Sequence, residues 1–206
     1  MAKLSVELQR YFFEEERPPK VTLSEVLEIA GERIFGFLFV ILSLPSALPV
    51  PAPGYSTPFG LVLFLLGVQL IAGAKLPWLP AKISSYPIEL KQLQGVIKAG
   101  IPWLRRIELL ARPRLSYICT SLPGRVTLGI AIALMGISMM IPIPGTNTLP
   151  AIGIFVTGFG LMEDDGAISL GGLVLCLIGG ILSTSILIAL LVGGTSLLDL
   201  IKSWVR

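Results

Sequence analysis

Histidine is absent from the chain, which removes the commonest general base, the commonest zinc ligand and the usual switch near neutral pH. Cysteine is scarce: Cys119 lies in a basic stretch and Cys176 inside an apolar run, so neither metal-ligand spacing nor a disulfide framework is written. Both read as structural, and the chain reads as a non-enzyme with no cofactor and no metal. Charge is scarce too, at 14% of 206 residues against 53% hydrophobic, where a water-soluble domain carries roughly 25% charged residues. A soluble fold has nowhere to put that much apolar surface, and the mean hydropathy is +0.84.

No Asp, Glu, Lys or Arg occurs from Ile34 to Ala74, from Val126 to Met162, or from Gly166 to Leu198. Uncharged blocks of this length are the mark of a bilayer, and they predict an all-α integral membrane protein that crosses the membrane more than once. The formal net charge of +3 sits on residues that flank the apolar blocks without interleaved aromatics, which fits membrane orientation and membrane lipids as partners, not nucleic acid. Residues 1–20 are polar and carry Glu14, Glu15 and Glu16 where a signal peptide needs an apolar core, so the first apolar block is expected to be retained.

The chain reads as one membrane domain, 1–206. Residues 22–33 have the pattern of an interfacial amphipathic helix, with Thr22 and Glu25 as a capping box. A first hairpin occupies 34–73: an apolar limb, a break at Pro51-Ala52-Pro53-Gly54-Tyr55-Ser56-Thr57-Pro58, and a second limb. Each limb of about 16 residues is roughly 24 Å long against a hydrocarbon core of roughly 30 Å, so the hairpins are either tilted spans or re-entrant. Residues 75–125 carry nine Lys or Arg against two Glu, with amphipathic stretches near 87–99 and 102–111, and read as cytoplasmic with Trp78 and Trp103 as interfacial anchors. A C-terminal transmembrane helix is expected over 167–194, where Gly171, Gly172, Gly179 and Gly180 form one close-packing face.

A second hairpin, 126–162, repeats the first at an offset of 91 residues: Pro51 matches Pro142, Pro53 matches Pro144, Gly54 matches Gly145, Thr57 matches Thr148 and Phe64 matches Phe155. With a gap of one or two residues, Arg33 falls opposite Arg125 and Gly36 opposite Gly129, so a basic residue marks the entrance of each copy. Repeats of this kind are typical of transporter folds with a site between the copies. Both hairpins are expected to enter from the cytoplasmic side.

Proline removes backbone donors and glycine admits unusual dihedrals, so each break frees polar backbone that survives at membrane depth only beside protein or water. Thr57 before Pro58, and Thr148 before Leu149 and Pro150, suit the N-caps of new helices. Two such termini would attract an anion, with Gly54, Ser56, Thr57, Gly145, Thr146, Asn147 and Thr148 around it, Gln69 facing a cavity or bonding a neighbouring helix, and Arg33 and Arg125 drawing the anion in. The plainer alternative is a pair of Pro-Gly turns at the far surface whose hydroxyls only cap helices. Glu32 and the triplet Glu163-Asp164-Asp165 admit a cation or proton path, although an acidic triplet more often marks an interface.

Leu23-Ser24-Glu25, Gly31-Glu32-Arg33, Pro53-Gly54-Tyr55-Ser56-Thr57, Gln69, Trp78-Leu79-Pro80 and Ile141-Pro142-Ile143-Pro144-Gly145-Thr146-Asn147-Thr148-Leu149-Pro150 together resemble the ExoD family over about residues 20–195. The resemblance implies a bacterial inner-membrane protein linked to exopolysaccharide production, without a settled activity. A looser architectural similarity to DedA-type proteins implies handling of a polyprenyl-phosphate carrier lipid. The expected function is a small transporter or lipid-carrier translocase for polyprenyl-phosphate or a small anion, working as a homodimer. The alternative is a non-transporting accessory or regulatory protein of exopolysaccharide synthesis.

Overall fold

The structure is a computed structural model and describes residues 6, 9–14, 20–22, 31–47, 56–78, 87–90, 94, 98, 105, 111–141 and 147–204. Apolar, uncharged segments satisfy their backbone internally by coiling, and among the described residues six α-helices follow: α1 (Ile34–Ala47), α2 (Ser56–Ile71), the single turn α3 (Tyr117–Thr120), α4 (Leu122–Met140), α5 (Thr148–Met162) and α6 (Gly166–Trp204). α4 and α6 are long and apolar enough to cross a membrane, while α1, α2 and α5 are shorter apolar helices.

Two starts show their local cause. Ser121 caps α4 by accepting from the Gly124 amide at 3.3 Å, with Pro123 in the first turn, where a missing donor costs nothing. Asp165, 1% exposed, starts α6 by accepting from the amides of Ala167 at 3.1 Å and Ile168 at 3.3 Å. The last member of the acidic triplet is therefore a helix cap.

The ends of α2 and α5 repeat each other. Gly73 (φ +77°) and Asp164 (φ +53°) are left-handed residues just past the two helices, and they stand 91 positions apart. The next amide folds back five residues in both, Ala74 to the Gln69 carbonyl at 3.1 Å and Asp165 to the Gly160 carbonyl at 2.9 Å, which closes the helix on itself.

Three expectations are corrected. Thr22 does not open an amphipathic helix: Lys20–Thr22 (β1) pairs antiparallel with Pro87–Glu89 (β2), Thr22 opposite Pro87, and Gly31–Arg33 is a 3-10 turn. Alternation with β-branched Val21, Thr22 and Ile88 outweighs the helical spacing there, so the amphipathic stretch read over 87–99 begins as a strand. The rest of the 22–33 helix falls outside the described residues, as does about half of 75–125, Trp103 included. The third correction is length, since α6 runs to Trp204 instead of ending at 194.

The long helices pack across the repeats. α1 lies mainly against α5, and α2 mainly against α4, while the two limbs of one hairpin touch less. Glycine makes these crossings. A Cβ on Gly36 would fall 2.5 Å from the Met162 nitrogen and 2.7 Å from the Gly158 oxygen, and one on Gly129 would fall 3.1 Å from the Ile71 nitrogen and 3.0 Å from the Gly67 oxygen. Gly158 and Met162 are Gly67 and Ile71 displaced by 91 positions, so the two crossings are copies related by an axis along the bundle. Both crossings are antiparallel, and α1 leads into α2 at a Ser46–Ser56 hydroxyl contact of 3.3 Å. α1 and α4 therefore end, and α2 and α5 begin, at one end of the bundle, the tip, and their other ends lie at the opposite end, the base.

α6 runs back along α5, with Gly172 against Thr157 and Gly179 against Pro150. Its glycine face is thus partly occupied within the chain, although Gly171 meets nothing within 4 Å. Its remaining surface is apolar and open, with Leu177 66% and Ile181 68% exposed.

The crossings predict a sharp contrast between glycines. Gly67→Val should lower the thermal midpoint of the detergent-solubilised protein by the equivalent of roughly 1–3 kcal/mol, as overpacked contacts do, whereas Gly171→Ala should melt like the wild type.

Candidate functional site

At the tip, the described hydroxyls are held by protein. Ser46 and Ser56 are buried together, and the Thr57 hydroxyl donates to the Met140 carbonyl at 3.5 Å. Ser56 and Thr57 are already helical, so Thr57 is not the cap of α2, and Pro58 suits any position of a first turn, where no intrahelical donor is needed. Likewise Asn147, not Thr148, caps α5, and it does so without a side-chain cap bond, Thr148 being the first helical residue. Gly54, Gly145, Thr146 and the break prolines Pro51, Pro53, Pro142 and Pro144 lie outside the described residues.

The other expected site residues are at the base. Gln69 bonds the chain just beyond its own helix. Its amide grips the backbone of Trp78, accepting from the Trp78 nitrogen at 2.5 Å and donating to the Trp78 carbonyl at 3.3 Å, which pins the chain as it leaves α2. Arg33 and Arg125 stand at the starts of α1 and α4, so they share one end of the bundle but are separated by its length from Ser56, Thr57, Asn147 and Thr148.

What the two arginines do share is a cavity of about 270 Å³. Every long limb of the two hairpins contributes to it at its basal end: Arg33 and Phe35 from the start of α1, Lys75 from just past α2, Arg125 from the first turn of α4, and Leu161 and Asp164 from the end of α5, with Cys119 and Thr120 of α3 closing one side. The cavity therefore lies where the axis relating the repeats leaves the bundle.

Arg125 is held in place. Its Nη2 donates to the Ala74 carbonyl at 2.8 Å, at the C-terminal end of α2 where a cation is favoured, and its guanidinium lies 6.0 Å from the centre of the Phe35 ring. Its Nε is buried and has no hydrogen-bond partner, an exception that asks for an acceptor. Among the described lining residues are the cations Arg33, Lys75 and Arg125 and the carboxylate of Asp164.

The wall behind the cavity is polar and closed. Cys119, 3% exposed, reaches the Gly160 carbonyl at 3.5 Å and the Ser169 hydroxyl at 3.4 Å. Burial pushes its thiol pKa up, and the carboxylates of Asp164 and Asp165 add to the rise against the opposing Ser169 hydrogen bond. Asp165 also accepts from the Arg112 amide at 3.0 Å, and Gly166 donates to the Arg114 carbonyl at 2.7 Å, so residues 112–114 are strapped onto the base. Lys75 and Thr120 were not singled out by the motifs, and Asp164 was read only within the acidic triplet, as a cation or proton path or an interface marker. The signal for Asp164 was available in the repeat, where a carboxylate stands in the place of Gly73.

Two outcomes test this description. Arg125→Gln should lower stability by about 1.5–3 kcal/mol, the worth of a hydrogen bond from a charged donor, and Arg125→Lys should not restore it in a thermal melt, since an ammonium cannot bond Ala74 and lie over Phe35 together. With its thiol pKa raised, Cys119 should label slowly with a maleimide in the folded protein at neutral pH, faster as pH rises, and rapidly once unfolded.

The protein slr1875 of Synechocystis sp., itself described as uncharacterized, is 53% identical over 206 residues, which is 100% of this chain and 97% of that relative. Protein ExoD of Rhizobium meliloti is 32% identical over 155 residues, 74% of this chain and 64% of the relative, so the chain spans under two thirds of that protein's length. No solved structure matches the chain. The family model described as "Exopolysaccharide synthesis, ExoD" matches residues 4–185, and with those motifs and that coverage the chain belongs to the ExoD family.

Proposed function

We propose that this protein is a multi-pass, non-enzymatic protein of the bacterial inner membrane that serves exopolysaccharide production by binding an anionic group and carrying it across or within the bilayer. The group is the phosphate head of a polyprenyl-phosphate carrier or a small anion. The observation that carries the reading is the basic cavity at the base, lined from all four limbs and holding a buried Arg125 Nε with no hydrogen-bond partner. The name of the Rhizobium relative and the family description supply the link to exopolysaccharide.

Depth supports the membrane part of the reading. The start of α5 lies beside Gly179, 13 residues into α6, or roughly 20 Å along a helix. A hydrocarbon core is roughly 30 Å thick, so if α6 starts at one face the hairpin tips stop inside the bilayer, as re-entrant hairpins do. The open apolar surface of α6 then faces lipid. Five long helices are few to enclose a path, and a homodimer completes the wall.

A second reading, an accessory protein that moves nothing, is favoured by the tip, where the Ser46, Ser56 and Thr57 hydroxyls already have protein partners. Reconstitution into liposomes separates the two. The wild type should translocate labelled polyprenyl phosphate or pass phosphate, and Arg125→Gln and Lys75→Gln should each cut the rate about tenfold or more, the loss of one charge-assisted contact. Bound ligand without flux of any kind would instead establish the accessory role.

A further inference from the structure

We infer that the last ten residues of α6, 195–204, form an interfacial helix that lies in the lipid headgroup boundary of the membrane face opposite the base, its apolar side toward the acyl chains. This rests on the reading of α6 as a membrane span that starts at one face with Gly166.

Length is the first ground. α6 carries no charged residue from Gly166 to Leu198 and stays helical to Trp204. A hydrocarbon core of roughly 30 Å takes roughly 20 residues of an upright helix, and roughly 26 of one tilted by about 40°, the steep end of what such helices adopt. Counted from Gly166, the far boundary is met between Ile186 and Val192, so Thr195 has passed it at either tilt. The bundle gives no shelter on the way. Past Gly180, which meets Met135, the side chains of Ile181, Leu182, Ile188 and Leu190 are exposed, so among the described residues α6 has left its neighbours well before Thr195.

The pattern of residues is the second ground, and it is independent of the first. Up to Val192 large apolar residues occupy every side of α6, as they do in a span. From Thr195 they sort. Helical register puts Leu197, Leu198, Leu200, Ile201 and Trp204 within one arc of about 160°. Thr195, Ser196, Asp199, Lys202 and Ser203 fall on the other side, and neither set intrudes on the other. The change of pattern falls at Gly193-Gly194, small residues of the kind at which helices bend. A helix apolar on one side and polar on the other settles in the plane of the interface, and a tryptophan ring belongs at headgroup level. Asp199 and Lys202 cancel, so burial of the apolar arc and not lipid charge holds the segment there.

The test uses the purified full chain in phosphatidylcholine nanodiscs, spin-labelled one position at a time. Ser196→Cys and Ser203→Cys report the polar arc, Leu197→Cys, Leu200→Cys and Ile201→Cys the apolar arc, and Leu177→Cys and Ile181→Cys the span. Cys119 and Cys176 are buried, and a brief reaction at neutral pH leaves them unlabelled. A thermal melt checks that each variant is folded. Contact of each label with oxygen, which dissolves in lipid, is compared with contact with a nickel chelate, which stays in water. Oxygen should prevail severalfold on the apolar arc and the nickel chelate on the polar arc, with oxygen alone reaching the two span labels. The nickel chelate at all five C-terminal labels means a helix projecting into water, oxygen alone at all five means one sunk in the core, and neither reagent on the apolar arc means one packed against protein. Each of these overturns the inference and leaves the span standing. The nickel chelate at the span labels overturns the reading of α6 as a span.

Discussion

Two helices bring their backbones into contact only where neither presents a side chain at the crossing, and this bundle is organised by two such places. Gly36 meets Gly158, and Gly129 meets Gly67, with less than a methyl group's room between the strands of backbone. Each contact joins the first limb of one repeat to the second limb of the other. Once those pairs are set, the limbs within a hairpin need only be linked at the tip, and a hydroxyl contact between Ser46 and Ser56 is enough there. The internal symmetry, the common direction of the hairpins and the meeting of four helix ends at the base all follow from these two crossings.

The meeting of helix ends concentrates charge. Uncharged limbs leave their first and last polar residues at the same level, so Arg33, Lys75, Arg125 and Asp164 are gathered by packing although 131 positions separate the first from the last. Arg125 connects structure to chemistry, since it completes the end of α2 through Ala74, rests over Phe35 and still has an N–H to offer.

Much of this was legible in the residues. The offset of 91, the short limbs, the basic entrances at Arg33 and Arg125 and the equivalence of Gly36 with Gly129 can all be read along the chain, because they are local or periodic. The pairing across repeats was not, since a glycine does not encode which backbone it will touch. The glycines of α6 show the same limit: their spacing announces a close contact, and Gly172 and Gly179 find it on α5 of the same chain. Broken helices advertise free amides at the prolines, whereas Lys75 looks like an ordinary boundary charge until the base is assembled. At Thr22 the capping-box pattern misled, because Lys20–Thr22 is a short β-branched segment that pairs with Pro87–Glu89.

That both hairpins point the same way has a consequence for movement. Copies in opposite orientation can trade shapes, so that one arrangement opened to the inside becomes its mirror opened to the outside. Copies standing side by side have no such exchange available, and rotating one onto the other returns the same face to the same compartment. The molecule therefore has a permanent polarity, charged at one pole and lined by hydroxyls at the other, and any journey through it begins and finishes in chemically different surroundings.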